Sequence, residues 1–265
     1  MPKMRRTRPS RGAVLAIDIG NTQTALGVFR DGELAAFWRL TSSVPRTSDE
    51  LGVIIESLAR DHREALAASR RVVIGSVVPM LTREYAAMAD RLYRARALIV
   101  THESRTGIRI DVPDPASLGA DRIANAAAVS AGALPAIVVD LGTATTFDVV
   151  GPRARYRGGA IAPGIRTSAD ELFRRAARLA KVSIRRPRRR IGRTTEESIQ
   201  SGVYHGAVGA IDGIVRQLEL ELRRSARVIA TGGLAPLVAQ ASETIQEVDE
   251  ALTLRGLVRI EQLNR

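Results

Sequence analysis

Three apolar runs open the chain: AVLAIDIG at 13–20, TALGVF at 24–29 and ELAAFWRL at 33–40. Polar turns part them, one being Asp31-Gly32, a pair suited to a tight hairpin. The pattern predicts an antiparallel meander. The period then changes. Thr47 and Glu50 have capping-box spacing, and LGVIIESLA at 51–59 is apolar at helical intervals, which predicts a helix from about residue 48. RVVIGSVVP at 71–79 predicts a strand, LTREYAAMADRLYRA at 81–95 a helix, and ALIV at 97–100 another strand.

The later part repeats this order. Alanine-rich ASLGADRIANAAAVSAGA at 116–133 predicts a helix, and PAIVVDLG, TTFDVV and RYRGGAIAPG predict three more strands. Helices are expected over about 166–180 and from Thr194 to about Arg224, where Thr194 and Glu197 again have capping-box spacing. RVIATGG predicts a strand running into a glycine turn, and EALTLRGLVRIEQL a closing helix. AVLAIDIGNTQTALGVF and PAIVVDLGTATTFDVV share the order apolar, Asp, apolar, Gly, polar, Thr, apolar, with Asp18 and Asp140 in equivalent places. This is an internal duplication in an α/β chain. The expected organisation is a basic disordered tail at 1–13 and two domains at 14–115 and 116–265. No Pro/Gly-rich linker parts them.

The chain has 265 residues, no cysteine and 45% apolar residues, which supports a packed core and excludes disulfides and thiolate chemistry. No stretch approaches the roughly 18 apolar residues of a membrane span. The first apolar run is cut by Asp18 and no small-residue cleavage site follows, which argues against a signal peptide. A cytoplasmic protein is expected. The net charge of +12 is local: Lys3, Arg5, Arg6, Arg8 and Arg11 lie in residues 1–12, and Lys181, Arg185, Arg186, Arg188, Arg189, Arg190 and Arg193 in 181–193, neither stretch holding an acid. Together they equal the whole excess, and the rest of the chain balances. Such runs read first as solvated tails and loops, with anion binding second. No aromatic residue interleaves them, which disfavours nucleic acid as a partner.

The candidate chemistry lies in the two glycine hairpins. Glycine lets backbone amides approach an anion, and Asn and Thr add donors. An aspartate beside phosphate makes sense when a cation sits between them. Asp18-Ile19-Gly20-Asn21-Thr22 and Asp140-Leu141-Gly142-Thr143-Ala144-Thr145 would then grip a polyphosphate from two sides, with Thr231-Gly232-Gly233 as a third turn. Either hairpin alone reads as an ordinary β-turn. The chain lacks GxxxxGK[ST], and no GxGxxG follows the first strand, so the common nucleotide motifs are excluded.

The motifs DIGNT (18–22), RTSDE (46–50), SVVP (76–79), GADR (119–122), DLGTATT (140–146), GGAIAPG (158–164), TTEESIQSG (194–202), TGG (231–233) and LTLRGL (252–257) stand in the order of a known family. From about residue 14 the chain resembles a type III pantothenate kinase, of the superfamily of acetate and sugar kinases, actin and heat-shock chaperones. The resemblance implies two ribonuclease-H-like domains related by internal duplication, with the nucleotide cleft between them. It implies ATP-dependent phosphorylation of pantothenate, the first step of coenzyme A synthesis. Asp18, Ile19, Gly20, Asn21, Thr22, Gln23, Thr24 and Ala25 map onto the ATP-phosphate hairpin, with Thr143, Gly232 and Gly233. Gly119, Ala120, Asp121, Arg122 and Thr195 map onto the pantothenate site, with Asp121 as proton acceptor. Asp140 maps onto a monovalent-cation ligand (K⁺ or NH₄⁺), and Asp18 would act on Mg²⁺ through the phosphates. A homodimer is expected, with no membrane partner. Val112 and Thr194 depart from the aromatic residue and the asparagine many members carry there.

Gly202, Gly206, Gly209 and Gly213 fall on one face of the helix expected at 194–224, each at a cost of about 1 kcal/mol against alanine. They fit tight packing inside the subunit or a dimer interface. His62, His102 and His205 have no metal-ligand spacing and read as surface or packing residues; Trp38 reads as core. Two other functions compete: a regulatory protein whose basic runs contact nucleic acid, and a sugar or acetate kinase of the same superfamily. GADR and the short chain argue against the latter.

Overall fold

The structure, a computed structural model, describes residues 12–62, 66–67, 69–175 and 182–265. The basic tail up to residue 11, Lys181 and the end of the helix expected over 166–180 lie outside the described residues. By internal contacts the chain divides into two units, one of Met1–Arg105, Gly119–Ala124 and Leu257–Arg265, the other of Thr106–Leu118 and Asn125–Gly256.

In the first unit, β1 (Ala13–Ile19), β2 (Gln23–Arg30) and β3 (Glu33–Thr41) form the expected meander, followed by β4 (Arg71–Ser76) and β5 (Leu98–Ile99). The sheet order is β3-β2-β1-β4-β5, with β1 antiparallel to β2 and parallel to β4. β1 lies in the middle and is buried along its whole length up to Asp18. A strand covered on both faces needs an unbroken apolar run, which AVLAI supplies. On one face α1 (Ser48–Leu58) and α2 (Pro79–Tyr93) bring Leu51, Ile55, Leu81, Tyr85 and Met88 against Leu15, Ile17, Ile19, Leu26 and Ile74. The box at the start of α1 is complete: Thr47 accepts from the Glu50 amide, and Glu50 accepts from the Thr47 amide at 2.8 Å. α2 starts on Pro79, whose missing N–H costs nothing in a first turn.

The second unit repeats the order. β7 (Ala136–Leu141), β8 (Ala144–Gly151), β9 (Arg155–Pro163), β10 (Arg227–Thr231) and β11 (Glu247–Val248) run β11-β10-β7-β8-β9, and β6 (Arg109–Ile110) adds itself beyond β9. Strand for strand, β7 stands where β1 stands, β8 where β2 stands and β10 where β4 stands, so the duplication read from the sequence is present in the topology. Tyr204, Val208, Ile211 and Val215 of α5 (Thr195–Leu222) cover Ile137, Val139, Phe147 and Val149. Ala126 and Val129 of α3 (Ala120–Val129), with Leu252 of α7 (Leu252–Leu263), cover Val138, Val150 and Tyr156 on the other face. α4 (Ile165–Arg175) and the short α6 (Ala235–Ala239) complete the unit.

The helix expected over 116–133 is shorter. Pro115–Ser117 make one 3₁₀ turn capped by Asp114, which accepts from the Ala116 amide at 3.2 Å, and α3 starts only after Gly119. It stops at Val129, where Ser130 donates its hydroxyl back to the Ala127 carbonyl at 2.8 Å. Thr194 caps α5 by accepting from the Glu197 amide, but Glu197 accepts from Arg193 rather than Thr194, so the second box is half made. His62 packs edge-on to Trp38 and His205 to Tyr204, while Trp38 is half-buried against the first core.

Candidate active site

The hairpin Asp18–Ala25 joins β1 to β2 in the first unit. Ile19 pairs with Thr24, and the Gly20 amide donates to the Gln23 carbonyl at 3.0 Å. A Cβ on Gly20 would stand 3.1 Å from that carbonyl, so the turn favours glycine there. Asn21, Thr22 and Gln23 are exposed, and Asp18, Gly20 and Ala25 are half-buried. Ile19 and Thr24 turn inward, both at 1% exposure or less. The Thr24 hydroxyl meets the Ser42 hydroxyl at 2.9 Å and also bonds Tyr85, while the Ser42 amide donates to the Thr22 carbonyl at 2.9 Å. Burial pushes the Tyr85 hydroxyl pKa up, and its bond to Thr24 partly offsets that. Ser42 and Tyr85 thus brace the turn from behind. Neither belongs to a phosphate-site motif.

The same unit holds GADR. Gly75 in β4 lies opposite Asp18 across the parallel pair, and two residues on the Val77 amide donates to the Ile19 carbonyl at 3.0 Å. A Cβ on Gly75 would come within 3.7 Å of Ala120 Cβ and 2.9 Å of Leu257. A Cβ on Gly119 would run into Asp121 Oδ1 and stand 3.5 Å from Val77. Two missing side chains therefore seat the start of α3 on the end of β4, beside the strand that carries Asp18. Asp121 lies in the first turn of α3, half-buried, with Oδ1 accepting from the Arg122 amide at 2.9 Å. A carboxylate there is favoured by the helix dipole. Gly75 was not singled out in the sequence. Its signal was a glycine inside an otherwise β-branched strand, a mark of close backbone approach.

The second hairpin, with its neighbours, lies in the other unit. The Gly142 amide donates to the Ala144 carbonyl at 3.1 Å, and Thr167 donates its hydroxyl to the Thr143 carbonyl at 2.7 Å. A Cβ on Gly164 would collide with the Thr143 carbonyl and stand 2.7 Å from the Gly142 oxygen. Gly232 has φ +88°, and its Cβ would lie 2.7 Å from the Leu141 carbonyl and 2.8 Å from Asp140 Oδ1. Asn125 donates to Asp140 Oδ2 at 3.2 Å. Gly142, Thr143 and Gly233 are exposed, and Asp140 is half-buried. Thr195 is exposed at the start of α5. Thr194 fills the cap position, a place that asparagine fills equally well.

Arg185, Arg186, Arg188, Arg189, Arg190 and Arg193 are exposed on a segment with no regular structure. It is nonetheless held to α5. Gln200 donates to the Ser183 carbonyl at 2.9 Å, Ser201 to the Arg190 carbonyl at 2.6 Å, and Gly192 packs on the Ser198 backbone. Beside it Gly202, Gly206, Gly209 and Gly213 are all exposed, with no described atom within 4 Å of where their Cβ would stand. Among the described residues, no side chain or other segment packs against these four positions. Gly202 and Gly206 line a cleft of about 680 Å³ with Phe147, Ile165, Leu172 and Ile214.

All the groups at the two hairpins that could hold an ion are hard oxygens, which suit Mg²⁺ or an alkali cation. No three His, Cys, Asp or Glu side chains gather among the described residues. Asp18 therefore fits an ion that draws its other ligands from phosphates and water, as Mg²⁺ does. Asp140 offers a carboxylate of the same hard kind, with Oδ2 accepting from the neutral Asn125 amide. No described helix is long and apolar enough to cross a membrane.

The family model for type III pantothenate kinases matches residues 14–217. The type III pantothenate kinase of Anaeromyxobacter sp. (strain Fw109-5) is 45% identical over 95% of this chain and 100% of its own. That of Myxococcus xanthus is 44% identical over 92% and 96%. Among solved structures, a Baf family protein from Campylobacter jejuni superposes with a TM-score of 0.58 at 20% identity, covering 94% of this chain and 98% of its own. The ethanolamine utilization protein EutJ from Carboxydothermus hydrogenoformans does so with 0.54 at 15%, covering 94% and 89%. At those identities the likeness concerns the fold alone. The family model spans most of the chain and the relatives align along nearly their whole length, so this chain belongs to the type III pantothenate kinases.

Proposed function

We propose that the chain transfers the terminal phosphoryl group of ATP to the primary hydroxyl of pantothenate, opening coenzyme A synthesis, with Asp121 taking the proton of that hydroxyl. Family membership supports the reaction. The assignment of roles rests on Gly75, the bare position that lets the start of α3, with Asp121, rest beside the strand bearing Asp18.

Phosphoryl transfer needs alignment and charge neutralisation more than covalent help. The exposed amides and side chains of Asn21, Thr22 and Gln23 donate to phosphate oxygens. Asp18 would hold Mg²⁺, which would supply charge neutralisation on the phosphates when bound. Asp121 accepts a hydrogen bond from the attacking hydroxyl, orients it, and takes its proton as the bond to phosphorus forms. Arg122 neutralises equatorial oxygens or the pantothenate carboxylate. Gly119 and Ala120 shape the wall beside Asp121, and Thr195 adds a hydroxyl contact to pantothenate. Thr143, Gly232 and Gly233 contact ATP, and Asp140 holds a monovalent cation.

The exposed glycine face of α5 and its apolar cleft fit a second copy of the chain, and we place the homodimer contact there. A purely monomeric species in light scattering removes it. The enzyme works in the cytoplasm. ADP release in a coupled assay should require pantothenate, Mg²⁺ and K⁺ or NH₄⁺. Asp121→Asn should lower turnover by about 10²- to 10⁴-fold with an unchanged urea midpoint. Normal turnover in that variant removes Asp121 from the role.

A further inference from the structure

Asn125 is the polar residue buried in the alanine-rich run IANAAAV of α3, one helical turn after Asp121, and is 0% exposed. Both ends of its amide are engaged. Nδ2 donates to Asp140 Oδ2 at 3.2 Å, and Oδ1 accepts from the Thr253 hydroxyl at 2.8 Å. Thr253 lies in the first turn of α7 and is itself buried. A buried amide is costly unless satisfied, and this one is satisfied in one orientation only. An ionised carboxylate can only accept, so the NH₂ faces Asp140, and the carbonyl oxygen is left to take the Thr253 proton.

We infer that Asn125 is a positioning residue for a monovalent-cation site at Asp140, and that Thr253 fixes Asn125 in turn. The inference rests on the cation role proposed for Asp140. A neutral donor suits the task. Lysine or arginine in its place would hold the carboxylate equally well but would cancel the charge that attracts a cation. The amide pins one carboxylate oxygen and so sets the direction of the other, Oδ1, which lies 2.8 Å from where a Cβ on Gly232 would stand. Outer-sphere partners of this kind change metal affinity by about 10- to 100-fold when removed.

The test uses the full-length enzyme as wild type, Asn125→Ala and Thr253→Val, with K⁺ titrated against tetramethylammonium at constant ionic strength. Two signals are read: the rise of melting temperature with K⁺, which needs no turnover, and the K⁺ dependence of ADP formation. Asn125→Ala should raise the half-saturating K⁺ concentration by about 10- to 100-fold in both signals, with turnover restored at saturating K⁺. Thr253→Val, which leaves Asn125 in place, should shift it less and in the same direction, and it carries the test if Asn125→Ala does not fold. A lowered turnover with an unmoved K⁺ midpoint, or wild-type midpoints in both variants, overturns the role of Asn125. A wild type that neither melts higher nor turns over faster with K⁺ overturns the cation role of Asp140, and this inference falls with it.

Discussion

Asp18 in β1 and Asp140 in β7 stand one residue before the end of equivalent strands, in two sheets that share a five-strand order, yet the turns that follow them differ. Four residues lie between the paired Ile19 and Thr24, and three between the paired Leu141 and Thr145. The bracing differs more. The first turn is backed by hydroxyls, Thr24 with Ser42 and Tyr85. The second has one hydroxyl, that of Thr167 on the Thr143 carbonyl, and is backed chiefly by glycines, with Gly164 and Gly232 pressed onto its carbonyls, and by the Asn125 amide on Asp140. Removing one hydroxyl of a network loses about 1 kcal/mol. A methyl group added where backbone meets backbone forces the chain itself to move. One duplicated motif has thus acquired a forgiving support in one unit and an unforgiving one in the other.

The largest effect is expected where that difference is attacked directly. Gly164→Ala should cost about 3 kcal/mol, the upper end for overpacking, and Gly232→Ala more than about 1 kcal/mol because its positive φ also excludes a Cβ. Urea melts measure both, and stabilities equal to wild type contradict the glycine brace. Gly75→Ala in the first unit should be milder, about 1–2 kcal/mol, since the nearest atom is the end of the flexible Leu257 side chain. Its sharper mark is a fall in turnover as the start of α3 is pushed off β4, and a Gly75→Ala enzyme with wild-type turnover breaks the link between β4 and Asp121. Tyr85→Phe should cost only about 1 kcal/mol and raise the KM for ATP while leaving the KM for pantothenate in place. Equal rises in both would show that the brace is not specific to the first hairpin.

The smallest effect concerns acid. Asp212 of α5 is buried, which raises its pKa. Ser242 and Thr244, through their hydroxyls, and the amides of Glu243 and Thr244 donate to it and bring the net shift below the ordinary value. A depressed carboxylate pKa stabilises the fold above the unfolded value of about 3.9, and that stabilisation is lost as pH falls through the folded value. Asp212→Asn should therefore be less stable than wild type at pH 7, with the gap closing in urea melts below about pH 4. A gap independent of pH would assign the loss to packing alone.

The succession of strands and helices along the chain and the duplication were legible because each rests on local alternation and short spacing. Thr47 and Glu50 cap α1 as their spacing requires, since both partners lie within one turn. The capping-box spacing at Thr194 is realised on one side only: Thr194 accepts from the Glu197 amide, while Glu197 accepts from the Arg193 amide. The stretch 116–133 holds a shorter helix than its alanine content predicts. Alanine content gives propensity, while Pro115 and Gly119 decide where the helix can begin. The eight residues 18–25 read as one phosphate loop, yet Ile19 and Thr24 point into the protein, since in a hairpin neighbouring residues face opposite ways.

By itself the sequence determined the elements, their repetition and the two aspartates near the ends of equivalent strands, because apolar period and turn chemistry act over a few residues. Tertiary structure alone decided what stands behind each hairpin. Tyr85 and Thr24 lie far apart in the chain, as do Asn125 and Thr253, and Gly164 and Gly232 meet the second hairpin from two different segments. Such contacts depend on how strands and helices pack, and a glycine carries no mark of what will press against it until the backbone arrives.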